Sequence, residues 1–241
     1  VVLLHGGGAN AHWWDHLAPV IAKRFHVVGL DFRGHGDADH PADTRRGALS
    51  DDLEALLDHL GRPPVRLVGH SMGGSIALAH ASRHQDVCGL VAVDVSRGAS
   101  RRSRRSARLA LALRRSYPTR EAAIARYRFL PTSAHATEAL RVHIAQHSVR
   151  EEPDGRFSFK FDPRWFALPA SPPPDLGKIR CPVLLLRGSE SEMLTAEGAN
   201  RLVGELRDGR QLLIQRAGHH IHLDQPDAFL AAVVPFLASV A

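Results

Sequence analysis

The chain has 241 residues, 44% hydrophobic and 23% charged, which excludes wholesale disorder and fits one large domain or one domain with an insertion. Its formal net charge of +6 raises nucleic acid as a partner, but the excess is local. Segment 97–128 holds eleven arginines against one acid, Glu121, a net +10 that leaves −4 for the rest of the chain. The two cysteines, Cys88 and Cys181, argue against a disulfide framework and read as small packed thiols beside buried strands. No apolar run approaches the roughly 20 residues that span a bilayer, and no signal-peptide pattern opens the chain. A soluble cytoplasmic protein without a membrane partner is expected. Val1 already stands inside an apolar run, so residues are expected to be missing before it.

Short apolar runs alternate with amphipathic stretches. Val1–His5 predicts a strand, Trp13–Arg24 a helix, and His26–Asp31 a strand ending in the turn Arg33-Gly34-His35-Gly36. Thr44–Leu60 predicts a helix, with Leu49, Leu53, Leu56, Leu57 and Leu60 at three- and four-residue spacing and Gly61 as its stop. Val65–Gly69 predicts a strand, Met72–Arg83 a helix and Leu90–Asp94 a strand. After a long interruption the alternation resumes. Pro182–Arg187 predicts a strand, Ala196–Leu206 a helix, Gln211–Arg216 a strand and Pro226–Val240 a helix.

Near-continuous apolar strands alternating with helices predict an α/β fold, a mostly parallel sheet covered on both faces. The interruption is Arg-rich and helical (Ala107–Ser116, Arg120–Phe129, Thr137–Ser148), then aromatic, and it ends in Ser171-Pro172-Pro173-Pro174. It is too long for a loop and predicts a helical cap over 97–175, between core parts 1–96 and 176–241.

Gly69-His70-Ser71-Met72-Gly73 fits G-x-S-x-G with a strand before it and a helix after it. A nucleophile on a sharp strand-to-helix turn needs glycines where side chains would crowd it. The helix N-terminus brings N–H groups and a positive dipole to a developing oxyanion. Ser71 is therefore the candidate nucleophile, and the Met72 N–H a candidate oxyanion donor. His5-Gly6-Gly7-Gly8 follows the first strand and can supply the second donor, Gly7 before Gly8.

Ser71 needs an imidazole to take its proton and return it. His219 in Arg216-Ala217-Gly218-His219 stands at a strand end, with His220 and His222 as competitors. A metal cluster of His219, His220, His222 and Asp224 lacks the helical His-Glu-x-x-His spacing and is set aside; no metal or cofactor is expected. An acid must orient the imidazole. Glu192 in the loop Gly188-Ser189-Glu190-Ser191-Glu192 is the first choice, with Glu190 and Asp94 as alternatives.

With these motifs in order, the chain resembles the α/β-hydrolase superfamily along its whole length. The resemblance rests on His5-Gly6-Gly7-Gly8, Asp31-Phe32-Arg33-Gly34-His35-Gly36, the serine turn, Arg187-Gly188-Ser189-Glu190-Ser191-Glu192, and Ala217-Gly218-His219 running into Leu223-Asp224-Gln225-Pro226. It implies the triad order Ser71, acid, His219. It also implies two further strands before Val1–His5, absent here, and an aspartate as the usual acid, where Glu192 stands at the matching place. The expected activity is a serine hydrolase cleaving a carboxylic ester or related acyl compound. Alternatives are a carbon–carbon bond hydrolase of aromatic degradation, an epoxide-hydrolase-like member by overall similarity, and a noncatalytic ligand-binding member.

The cap is expected to set substrate choice, with Trp13, Gly8, His70 and Trp165 as candidate pocket residues. The arginines predict a solvated helix face, ordinary for a charge run. If one or two reach inward, they favour an anionic small-molecule substrate. No nucleic-acid partner is expected.

Overall fold

The computed structural model describes residues 1–42, 44–45, 47–95, 116–133, 135–168 and 172–240. Six parallel strands form one sheet: β1 (Val2–Leu4), β2 (Val28–Leu30), β3 (Val65–His70), β4 (Val87–Val93), β7 (Val183–Gly188) and β8 (Gly209–Ile214). Their order is β2-β1-β3-β4-β7-β8. β5 (Val149–Glu151) and β6 (Phe157–Phe159) form a separate antiparallel pair.

Successive side chains of a strand point to opposite faces, and both faces are covered here. Leu4, Leu67, Leu90, Ala92, Val183 and Leu185 pack with Leu53 and Leu57 of helix Ala48–His59 and Leu202 of helix Ala196–Gly204. Their neighbours Leu3, Val68, Val91, Val93 and Leu186 pack on the other face with Ile21, Phe229, Val233 and Leu237. Each of these buried Leu, Val, Ile and Phe side chains stabilises the fold by roughly 1.5–3 kcal/mol.

Two predicted helices depart most from their sequence patterns. Trp13–Arg24 resolves into a 3-10 turn, Ala11–Trp14, and a short helix, Ala18–Ile21. Pro19 explains the break, because it lacks the N–H that a continuous helix would need there. Thr44–Leu60 starts late, at Ala48, because Gly47 caps it with a left-handed φ of +89°.

The chain moves from β1 outward to β2 and then back across to β3. The loops after β1 and β3 therefore leave the sheet side by side, at the crevice such a reversal creates. Between β4 and β7, the described residues form helices Arg120–Arg126 and Glu138–His147, the β5–β6 pair and a short helix, Arg164–Ala167. The β5–β6 pair was not predicted. Tyr127, Phe129, Ile144 and Ala145 of this segment share an apolar cluster with Ala9, Trp13 and Leu223. Arg164 also donates to the carbonyls of Pro41 and Ala42 at 2.9 and 2.6 Å. The predicted helix Ala107–Ser116, but for Ser116, and eight of the eleven arginines lie outside the described residues. Among the described residues no helix is long and apolar enough to cross a membrane.

Candidate active site

Ser71 stands between β3 and helix Met72–Ala81 with φ +50° and ψ −110°. That left-handed φ is strained for a residue with a side chain, at a cost of order 1–3 kcal/mol, and the surrounding turn must hold it. The glycines make the turn possible. A Cβ on Gly69 would lie 2.6 Å from the Gly73 carbonyl, and one on Gly73 would lie 2.6 Å from the His5 carbonyl oxygen. Both obstacles are backbone and cannot swing aside. The Ser71 N–H donates to the Val93 carbonyl at 2.9 Å, which ties the turn to the end of β4.

The next residue, Asp94, is fully buried and also has a left-handed φ, +46°. His219 follows β8, and its Nδ1 lies 2.6 Å from Asp94 Oδ2. The Ser191 hydroxyl donates to the same oxygen at 2.6 Å, and the Gly188 N–H donates to Oδ1 at 3.3 Å. Asp94 therefore makes the contact expected of Glu192. The Glu192 side chain is exposed, and Glu190 is exposed and paired with His135 Nε2 at 2.9 Å. The loop after β7 does reach the imidazole partner, but through Ser191. Neighbouring strand ends explain the exchange: β4 and β7 pair, and the Asp94 N–H donates to the Leu186 carbonyl at 2.9 Å.

A cavity of about 340 Å³ opens over this group. Ser71, Met72, His219, Gly6 and Gly7 line its floor, and Trp13, His70 and Trp165 line its walls. Those sequence candidates are brought together. Gly8 is not on the wall; its φ of +74° places it in the turn behind Gly7. A Cβ on Gly7 would meet Phe166 at 2.8 Å. Sequence reasoning missed His220, Phe166, Leu168, Pro131 and Met193 as wall residues. Only His220, next to the candidate base, carried a signal.

Five further histidines around the site are buried. His5 anchors the glycine loop. The Phe32 N–H donates to its Nε2 at 3.2 Å, so Nδ1 holds the proton and donates to the Gly6 carbonyl at 2.7 Å. Burial pushes His5 down to about 4, and His35 and His220 down to about 3. Burial, followed by the neighbouring imidazoles, also holds His70 and His222 well below the ordinary range. All five are neutral near pH 7, so none repels a positive charge forming on His219. His70 Nε2 donates to the His219 carbonyl at 3.0 Å, and His220 Nε2 donates to the Pro131 carbonyl at 2.8 Å. His222 stacks on Trp14, with ring centroids 4.5 Å apart, and Asp224 accepts the Gly218 N–H at 2.8 Å, so both serve packing. His70, His219 and His220 each bring a ring nitrogen within 4.8 Å of the others, close enough to share a small cation.

A serine on a strained strand-to-helix turn, beside the point where the strand order of a parallel sheet reverses, and an imidazole backed by a buried carboxylate define a class of hydrolase. The chain belongs to the alpha/beta hydrolase family, whose model matches residues 1–232, and it is a hydrolase. It is similar to the sn-1-specific diacylglycerol lipase ABHD11 of Mus musculus, 28% identical over 99% of this chain and 80% of that one. It is also similar to the esterase Rv0045c of Mycobacterium tuberculosis, 27% identical over 97% of this chain and 80% of that one. The crystal structure of E-2-(acetamidomethylene)succinate hydrolase shares its fold, with a TM-score of 0.84 at 21% identity over 99% of this chain and 91% of that one.

Proposed function

We propose that the chain cleaves a carboxylic ester of a small molecule through an acyl-enzyme on Ser71. The observation that carries this reading is the 2.6 Å contact between His219 Nδ1 and buried Asp94, beside Ser71 on one cavity floor. The names of the relatives, a lipase and an esterase, favour an ester over other acyl compounds.

Ser71 Oγ attacks the ester carbonyl as His219 Nε2 takes its proton. Asp94 keeps the other proton on Nδ1 and stabilises the imidazolium. The N–H groups of Met72 and Gly7 hold the oxyanion. Collapse breaks the bond to the alkoxy group, which leaves as the alcohol with the proton from His219. Water then gives a proton to His219 and attacks the acyl-enzyme. The acid departs and Ser71 regains its proton.

The described segment between β4 and β7 acts as a cap in this reading, since it contributes Trp165, Phe166, Leu168 and Pro131 to the wall. These are apolar groups, and no lysine or arginine lines the cavity among the described residues. That favours an uncharged acyl group over the anionic substrate the arginine count suggests. The test is turnover of p-nitrophenyl esters of graded acyl length by wild type and Ser71→Ala. A pre-steady-state burst in wild type and its loss in the variant are expected. Undiminished turnover by Ser71→Ala would sink the assignment.

A further inference from the structure

A second group of ligating side chains lies away from Ser71, where helix Glu138–His147 meets the turn Ala11–Trp14. The helix carries His143 and His147, four residues apart and therefore on one face. The turn carries His12, and Asp15 follows it. Asp15 is the hub: its Oδ2 lies 2.8 Å from His12 Nδ1 and 2.8 Å from His143 Nε2. His147 stacks on His12 with ring centroids 3.9 Å apart. One ligand atom each from His12, Asp15 and His147 lie within 4.8 Å of one another.

Three imidazoles and one carboxylate are a donor set that suits zinc. Bonds of about 2.0 Å in a tetrahedron separate the donor atoms by about 3.3 Å. The two contacts at Asp15 are already within that spacing, and the His12, Asp15 and His143 side chains are partly exposed, so they can turn toward an ion.

We propose that His12, Asp15, His143 and His147 bind a divalent transition-metal ion of the zinc type, clamping the segment between β4 and β7 to the loop after β1. Two ligands come from each side of the junction, so the ion cross-links them. Trp13, between His12 and Asp15, lines the cavity over Ser71, so the clamp fixes one of its walls. The proposal does not depend on the ester reading.

The test is calorimetric titration of the chelator-treated chain with zinc chloride near neutral pH, for wild type, His143→Gln, His147→Gln and Asp15→Asn. Wild type should bind one equivalent with a rise in Tm. Each variant, matched to wild type in its metal-free circular dichroism, should lose that equivalent or bind at least about tenfold more weakly, without the Tm rise. The same isotherm in all four proteins, or none in wild type, overturns the proposal. So does zinc binding that survives the substitutions and blocks fluorophosphonate labelling, because such an ion sits on the histidines around Ser71.

Discussion

Replacing Asp94 by Asn separates the two carboxylates that compete for His219. The amide is isosteric and keeps an oxygen for one of the Ser191 or Gly188 donors, so the fold should survive. Two effects add in the reaction. An amide nitrogen facing Nδ1 donates to it and leaves the proton on Nε2, so His219 is the wrong tautomer to accept from Ser71. The imidazolium also loses its counter-charge. Placing the charge centres about 4 Å apart at an effective dielectric of 20 makes that attraction about 4 kcal/mol, or about 10³ in rate. With the tautomer effect, Asp94→Asn should lower kcat by about 10³- to 10⁴-fold while KM changes little. Glu192→Gln, on an exposed side chain, should stay within about twofold of wild type. Steady-state hydrolysis of a p-nitrophenyl ester, with thermal melts as the folding control, reads both. A folded Asp94→Asn enzyme within tenfold of wild type, or a large loss in Glu192→Gln, would mean that Asp94 does not orient His219.

Acid should destabilise the protein early. His5, His35 and His220 have folded pKa values of about 4, 3 and 3, below the unfolded 6.5, so the unfolded chain binds more protons between those limits. Stability therefore falls as pH drops below about 6.5, by about 2 kcal/mol per histidine by pH 5. Urea midpoints across pH 7 to 5 check this, and a flat profile would contradict it. Gly7→Ala should lower kcat by about 10- to 100-fold with the fold retained, because its Cβ meets the movable Phe166 ring beside the proposed oxyanion donor. A melt and a kcat measurement decide that. Trp165→Ala should shift preference toward longer acyl chains by opening the wall, seen as a change in the kcat/KM profile across ester lengths.

The sheet and the serine turn were legible because each rests on local pattern. Apolar runs such as Val65-Arg66-Leu67-Val68 mark strands, and Gly69, Ser71 and Gly73 must be adjacent in sequence for the turn to form. The carboxylate that meets His219 was less legible because the contact is a meeting in space. Asp94 and Glu192 follow paired strands β4 and β7, and sequence order does not say which side chain turns inward. The left-handed φ of Asp94 and the bond from Ser191 decide it. The β5–β6 pair escaped because each strand has only three residues, too short for an alternation to register. Its neighbours in Phe157–Phe161 read as an aromatic run. The wall residues Phe166 and Met193 reach the cavity through packing of distant segments, and no local motif marks them.

Covalent labelling shows whether Ser71 is the nucleophile. Folded protein is treated with a fluorophosphonate probe, and the modified peptide is located by mass spectrometry. One adduct per chain on Ser71 is predicted, absent in Ser71→Ala and slowed in His219→Ala. Folded wild-type protein that takes no label, or an adduct on another residue, would mean that Ser71 is not the nucleophile.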